Sequence, residues 1–482
     1  MNDTRALKQP VRCRAVVRYL ARLGMILAAL SLPPLAVAFA AGEHAMGWRY
    51  LELAVLLVLP ELLFRRSPLP RRLQTNESLV IVALLYLLAP VLLAWPLAAD
   101  GAAPLDVWFE VVSALTTTGL STLDSVQPRS PAFLFSRAWM QWFGGLGIAV
   151  FSLTLVLRCS PAARRLLDSS LELDDLDFSS RGFALRTLGV YLALTLAGLV
   201  LLAMLLGPWR GLLYTLSAVS TGGFAPGDAS LAEFPDWNRR AAVLGVAALG
   251  AVPLLLYYRA WRRGWRVLAG YPEVRALVLL TLGFGLLLTW SLHQALGMPP
   301  EEAIGHGLLT ALSAQTGTGF FTLAPAGMDS VSQLLLCVPM LIGGGMASTA
   351  GGIRLLRLLL LVSLLRWLAA RADMPPDAVF RPRLAGHSLE SGEVMPALLT
   401  ILLFVLLVGL SWSIFVTAGS PPIPALFEVV SAVGTVGLSS GLAGPELPAG
   451  LKLLLSADML LGRVEILAFL VLFSQAGCRN TQ

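Results

Sequence analysis

Apolar residues in this chain come in runs of about 20, separated by short clusters rich in arginine, proline and glycine. A helix of about 20 apolar residues crosses a hydrocarbon core of about 30 Å. Ten such stretches can be marked, at about 17–41, 47–64, 77–98, 132–157, 184–206, 238–259, 275–297, 332–368, 394–418 and 450–476. A second pattern is shorter. Between successive long runs lie the apolar stretches DVWFEVVSAL, WRGLLYTLSAV, EEAIGHGLLTALSA and PALFEVVSAV. They are too short to cross a bilayer and predict half-helices that enter it and turn back.

Each short stretch ends on nearly the same phrase. The four copies are SALTTTGLST (113–122), SAVSTGGFAP (217–226), SAQTGTGFFT (313–322) and SAVGTVGLSS (431–440). Each begins Ser-Ala and places a glycine six residues after the serine, at Gly119, Gly223, Gly319 and Gly437. An internal repeat at a fixed period is a direct statement about architecture. The predicted fold is an all-α membrane protein of about ten transmembrane helices with four re-entrant loops. A two-helix hairpin (1–74) precedes four pseudo-symmetric units of span, half-helix, turn and span, at 75–180, 181–272, 273–375 and 376–482.

Composition supports the membrane reading. The chain is 56% hydrophobic and only 13% charged, against roughly 25% charged in soluble domains. The net charge of +6 does not point to nucleic acid, because the basic residues cluster in short loops beside apolar spans. The N-terminal tail, 65–72, 158–186, 259–275 and 354–383 hold 26 of the 35 lysines and arginines. That side is predicted to be cytoplasmic, with both termini inside and the four phrases outside. Arg12, Arg14, Arg18 and Arg22 precede an apolar run ending AVAFAAG, which resembles a signal peptide. The run is longer than a signal core and a second span follows at once, so a retained hairpin is expected. Four scattered cysteines lack metal spacing and predict no structural disulfide. A membrane enzyme would need His, Asp or Glu gathered at one depth. Glu301 and His306 sit on a short half-helix without a third ligand, and the acidic run LELDDLDF (171–178) reads as solvated loop or a partner contact.

Backbone that leaves helical geometry inside a membrane must be shielded or must line a water-filled path. Glycine opens backbone conformations closed to other residues, and half-helices aim partly negative C-terminal ends inward. Carbonyls from four short loops can replace the hydration shell of a cation. A lone Thr-Thr-Thr-Gly is ordinary helix-cap chemistry; four copies in register on one side read as quarters of an ion filter. Two further features stand out. Gly343, Gly344, Gly345, Gly351 and Gly352 interrupt the eighth run. Each glycine costs a helix about 1 kcal/mol relative to alanine, so unwinding is expected there, although small residues also permit close helix packing. Arg463 lies deep in the last run, where a charge faces a cavity or a partner; an ion path and a structural ion pair both fit. Glu465 lies about 200° around the helix from it.

The fourfold repeat, with IGGGMASTAGGIRLL (342–356) and LLGRVEI (460–466), resembles the Trk/Ktr/HKT superfamily of potassium transporters. Ten spans with a hairpin before the repeats are closer to the TrkH/TrkG pore subunit than to the eight-span KtrB type. The resemblance implies filter glycines at Gly119, Gly223, Gly319 and Gly437. It implies potassium-lining carbonyls at Thr117, Thr118, Thr221, Gly222, Gly317, Thr318, Thr435 and Val436. A gate loop is implied at Gly343, Gly344, Gly345, Ser348, Thr349, Gly351 and Gly352, with Arg463 as a barrier beside the ion path. Glycine at all four filter positions implies potassium rather than sodium, although the Gly-Thr-Val-Gly of the fourth loop departs from the Thr-rich first copy. The resemblance further implies the bacterial inner membrane, a homodimer, a cytosolic TrkA-like nucleotide-binding regulatory ring, and no cofactor beyond the transported potassium ion. A sodium-coupled or sodium-permeable symporter of the same superfamily is the alternative, and a polytopic membrane enzyme a distant one.

Overall fold

A computed structural model of the chain describes residues 11–66, 73–159, 180–373, 375, 382–384, 387–389, 391–464 and 466–474. The acidic run 171–178 and Glu465 lie outside the described residues. The chain opens with helices α1 (Cys13–Leu30), α2 (Leu32–Ala40), α3 (His44–Phe64), α4 (Thr75–Leu97), α5 (Pro104–Leu115) and α6 (Pro131–Cys159). It continues through α7 (Ser180–Leu206), α8 (Pro208–Val219), α9 (Trp237–Gly250), α10 (Leu254–Arg263), α11 (Arg266–Gly270), α12 (Pro272–Leu296) and α13 (Pro300–Thr316). The last described helices are α14 (Ser330–Ile342), α15 (Leu355–Ala372), α16 (Ser391–Thr417), α17 (Pro422–Val433), α18 (Ala449–Val464) and α19 (Ile466–Ser474). The one β-ladder among the described residues pairs Arg383 with Ser388 and Leu384 with His387.

Five described helical stretches are long and apolar enough to cross a bilayer, six if α9 and α10 count as one bent span. That bend differs from the sequence reading. The run 238–259 was expected to be one helix, but α9 and α10 meet at 90° across a break of a few residues. Pro253 cannot donate into a continuing helix and its ring crowds the preceding turn. The first run is also divided, at Ser31, where Pro33 and Pro34 suit the start of a new helix.

The chain forms two compact units. One takes in the described residues within Met1–Trp108, Ser130–Ser136 and Val464–Gln482. Here α1 packs on α3 and α4, and α19 packs on α4. Val11, Val16, Val80 and Ile81 form a small core that Val471 and Leu472 join, so both ends of the chain share it. Arg18 donates to Glu61 from a buried position, and Arg12 Nε lies 2.7 Å from Glu77 Oε1. Cys13 is disulfide-bonded, against expectation. Its partner is outside the described side chains. Spacing along the chain does not reveal which distant cysteines a fold brings within bonding reach.

The second unit holds the described residues within Phe109–Arg129 and Arg137–Arg463. Its short helices pack on their chain neighbours: α8 against α7 and α9, α13 against α12 and α14, α17 against α16. Two of them also meet a helix from another copy, α13 on α9 and α17 on α14. Glycine makes the approach possible. A Cβ on Gly144, Gly250 or Gly462 would fall on the carbonyl oxygen of Leu115, Val219 or Val433 respectively. Those three carbonyls occupy the same place in the repeated phrase, one residue after Ser-Ala.

Gly462→Ala is therefore expected to destabilise the protein by the ~1–3 kcal/mol typical of overpacking, read as a lower melting temperature in detergent. Gly409→Ala, in α16 with open space around it, should leave the melting temperature unchanged or raise it. Equal melting temperatures for the two variants would contradict this account of the helix contact.

Candidate functional site

The four phrases fold alike. In each, the helix ends with two hydrogen bonds that reach back over the last turn. Thr118 N donates to Ser113 O (2.9 Å) and Thr117 N to Ala114 O (3.0 Å). The corresponding pairs are Gly222 with Ser217 and Thr221 with Ala218, Thr318 with Ser313 and Gly317 with Ala314, and Val436 with Ser431 and Thr435 with Ala432. This is the Schellman ending, which occupies carbonyls that a helix C-terminus otherwise leaves open. The backbone carbonyls of the constant Ser-Ala pair are the two acceptors. The ending also demands a left-handed residue. Thr117, Thr221 and Thr435 take φ of 52°, 51° and 51°, and Gly317 takes 68°. A left-handed β-branched residue is a strained choice.

Two residues later the chain turns left-handed again. Gly119, Gly223, Gly319 and Gly437 have φ of 93°, 78°, 80° and 93°. The space beside them explains why a side chain is excluded. A Cβ on Gly119 would strike the carbonyl oxygen of Gly222, and one on Gly223 that of Thr318. A Cβ on Gly319 would strike Val436 O, and one on Gly437 would strike Thr118 O. The contacts run from the first copy to the second, third and fourth, and back to the first. The four turns form a closed ring, each presenting a carbonyl to the glycine of a neighbour. In the first and fourth copies the glycine N–H donates to the phrase serine, Gly119 to Ser113 Oγ and Gly437 to Ser431 Oγ, both 3.0 Å. The hydroxyls of Thr117 and Thr435 are buried and have no hydrogen-bond partner among the described residues.

The Gly-rich stretch lies against this ring. Residues 343–354 are not helical, and Gly343, Ala347, Gly352 and Arg354 all have positive φ. Gly351 sits where a Cβ would strike the Thr435 side chain, and Thr349 Oγ1 lies 3.3 Å from Thr221 Oγ1. Ser348 closes a local turn onto Gly345 O (2.6 Å). The bend between α9 and α10 receives the stretch: Gly345 N donates to Ala251 O (2.9 Å) and Thr349 N to Gly250 O (3.1 Å). A Cβ on Gly344 would meet Ala251 and Ala350. Glu273 accepts from Met346 N at 2.6 Å. Arg463, 2% exposed, donates to the carbonyl of Thr349 at 2.8 Å. Every site residue singled out in the sequence thus falls in one neighbourhood of the second unit.

A family model of cation transport proteins, TrkH, matches residues 60–477. The chain belongs to the TrkH family. A potassium uptake protein, TrkI, of Halomonas elongata is 29% identical over 98% of this chain and 99% of its own. An uncharacterised cation transporter of Methanocaldococcus jannaschii is 28% identical over 85% of each chain. The crystal structure of the potassium transporter TrkH from Vibrio parahaemolyticus superposes with a TM-score of 0.83, over 95% of this chain and 98% of that one, at 24% identity. This TrkH-family chain is an integral membrane cation transport protein.

Several polar residues around the ring escaped the sequence reading. Nine residues before each turn glycine, a side chain ties the short helix to the returning strand of chain. In the first copy Glu110 accepts from Ser121 Oγ and pairs with Arg137 at 2.8 Å. In the second, Tyr214 donates to Ser230 O (3.2 Å) and lies 2.6 Å from Glu233. In the third, Thr310 lies 3.4 Å from Thr322, which His306 also meets at 2.9 Å. In the fourth, Glu428 accepts from Ser439 and Ser440. The shared FEVVSA of copies one and four contains both glutamates, a signal that was present and unread. Gln141 braces the second turn, donating to Gly222 O (2.5 Å) and accepting from Phe224 N (3.2 Å). Gln315, where the other copies have an apolar residue, donates to Gly343 O at 2.6 Å.

Glu110→Ala in this TrkH-family protein leaves Arg137 buried without its carboxylate. Loss of one partner of a buried pair costs on the order of 3 kcal/mol, so a clear drop in detergent melting temperature is expected. Glu428→Gln, whose hydrogen-bond partners are hydroxyls and a backbone N–H, should cost less. The reverse order would show that the Glu110–Arg137 pair does not carry the first turn.

Proposed function

We propose that this chain forms the pore for potassium uptake across a bacterial inner membrane. The closed ring of turns carries the reading. Carbonyls of Thr118, Gly222, Thr318 and Val436 abut glycines of neighbouring turns, so four loops share one narrow centre. Oxygen donors without fixed charge suit a dehydrated monovalent cation that must bind and then leave. The buried hydroxyls of Thr117 and Thr435 add oxygens without a hydrogen-bond partner among the described residues. In this reading Thr117 to Gly119, Thr221 to Gly223, Gly317 to Gly319 and Thr435 to Gly437 form the selectivity filter. Residues 343–354 are the gate and Arg463 is a positive barrier that pins it. The four filter glycines favour potassium, in agreement with the potassium uptake protein of Halomonas elongata that the chain resembles.

The same proposal takes in topology and partners: ten spans in a hairpin plus four repeats, both termini cytoplasmic, a homodimer, and a TrkA-like cytosolic ring acting on the gate. An inside-negative potential would drive uptake with about 2.3 kcal/mol per charge per 100 mV. Rubidium or potassium flux into proteoliposomes, with sodium as competitor, tests the whole reading. Flux that sodium matches at equal concentration would refute potassium selectivity.

Two substitutions test its parts. Gly119→Ser places a side chain against Gly222 O at a φ of 93°, so the potassium-to-sodium permeability ratio should fall while the protein still folds. An unchanged ratio removes Gly119 from the filter.

Arg463→Gln keeps a donor for Thr349 O but loses the charge, and repulsion in a desolvated path is weakly screened. Rubidium flux should rise. Arg463→Lys keeps the charge but loses the planar donor fork and should stay nearer wild type. A stable Gln variant with unaltered flux would eliminate the barrier role.

A further inference from the structure

The bend between α9 and α10 does more than interrupt a span. Its carbonyls at Gly250 and Ala251 accept from Thr349 N and Gly345 N, and Gly250 O also accepts from Thr349 Oγ1 at 2.9 Å. The first N–H of α10, from Leu254, donates to Ala347 O at 3.3 Å. The Gly-rich segment therefore rests on a hinge whose far arm is α10. That arm leaves α9 at 90°, so if α9 runs along the membrane normal, α10 runs along the membrane surface.

The chemistry of the arm changes along its length. Leu254, Leu255, Leu256, Tyr257 and Ala260 are buried, and α10 packs on α7. The following stretch, WRRGWR (261–266), is exposed, with Trp261 at 77% and Trp265 at 64%. Large exposed tryptophans interleaved with arginines are costly in plain water and well placed at a bilayer interface. The indole sits at headgroup depth and the guanidinium meets lipid phosphate. Basic side chains near the cytoplasmic leaflet are drawn to its anionic lipids.

We propose that residues 254–270 form a membrane-surface arm that seats on anionic phospholipid headgroups, and that this seating holds the Gly250–Pro253 bend against the Gly-rich segment. The proposal rests on the reading of that segment as the gate and of the arginine-rich side as cytoplasmic. Anionic lipid then favours the arrangement in which the segment lies across the ring. Loss of the lipid contact frees the arm, loosens the bend and relaxes the segment. Lipid composition becomes an input to the transporter independent of any cytosolic subunit.

Two measurements on the full-length protein decide it. In vesicles of phosphatidylcholine with increasing phosphatidylglycerol, basal rubidium flux of wild type should fall several-fold. Raised ionic strength should weaken the fall, because exposed charges are screened over about 10 Å. Arg262→Gln/Arg266→Gln should keep the higher flux at every composition. Separately, brominated phosphatidylglycerol should quench a component of tryptophan fluorescence that is missing from Trp261→Phe/Trp265→Phe. Identical quenching of both proteins would overturn the lipid contact. A quenching difference without any lipid dependence of flux would overturn its coupling to the gate. An arginine variant that keeps the lipid response but loses the response to a cytosolic regulatory protein would assign the surface to that protein instead. If wild type carries no rubidium in any vesicle, the proposed function fails, while the quenching result still judges the arm.

Discussion

In each of the four turns a backbone carbonyl lies against the Cα of a glycine in a neighbouring turn, and no side chain fits between them. Much else in the second unit serves that contact. A chain that must present its backbone so closely cannot be a helix at that point, and its polar groups must be satisfied by other means. The Schellman ending does this on the helix side of each turn. Its left-handed residue and the turn glycine bracket one residue that is not left-handed. Three of the four left-handed positions carry threonine despite the strain. Strain of this kind persists where surroundings over-determine the conformation. Here the surroundings are the other three turns.

The ring is repeated in backbone but not in side chains. Behind the first turn stands a buried ion pair, Glu110 with Arg137, whose guanidinium also lies 3.7 Å from the centroid of Phe224. Behind the fourth stands the matching Glu428, satisfied by serines. The second and third use Tyr214 and Thr310. The position is constant and its chemistry is not, because the task is to hold the return strand of chain and any well-placed polar group can do that. The ring itself tolerates no such variety.

That division explains how much was legible in the sequence. The turn glycines repeat because four equivalent contacts exclude a side chain, and repetition is visible without a structure. The glycine run 343–352 was visible because helix propensity condemns it. The break at Gly250–Pro253 was missed because apolar residues flank it on both sides and a single proline is tolerated in many spans. The bracing residues were missed for a related reason. Glu110 and Glu428 repeat one residue, but Tyr214 and Thr310 hold the same position with other chemistry, and only the folded chain reveals that each reaches across to the return segment. Gln141 and Gln315 occur once each, so no pattern marked them.

The third copy departs most from its siblings, and its departures are connected. In the other copies a glycine of the following long helix lies under the carbonyl after Ser-Ala. In the third, that position is Gln315, whose side chain donates to Gly343 O. The helix that should follow is unwound from 343 to 354. Unwinding deprives that backbone of its regular helical hydrogen bonds. It keeps some locally, Ile353 N to Leu341 O, Arg354 N to Ile342 O and Leu355 N to Gly344 O, and takes others from separate elements. These are the α9–α10 bend, Glu273 at the start of α12, Gln315 at the end of α13, and Arg463 in α18. A helix supplies its own backbone partners and keeps its shape when its neighbours shift. A segment that takes part of its partners from others is less protected, since each such hydrogen bond is worth only about 1 kcal/mol net and is lost when its owner moves. The proposed gate is therefore a segment whose conformation depends in part on its surroundings, and it lies directly against the ring.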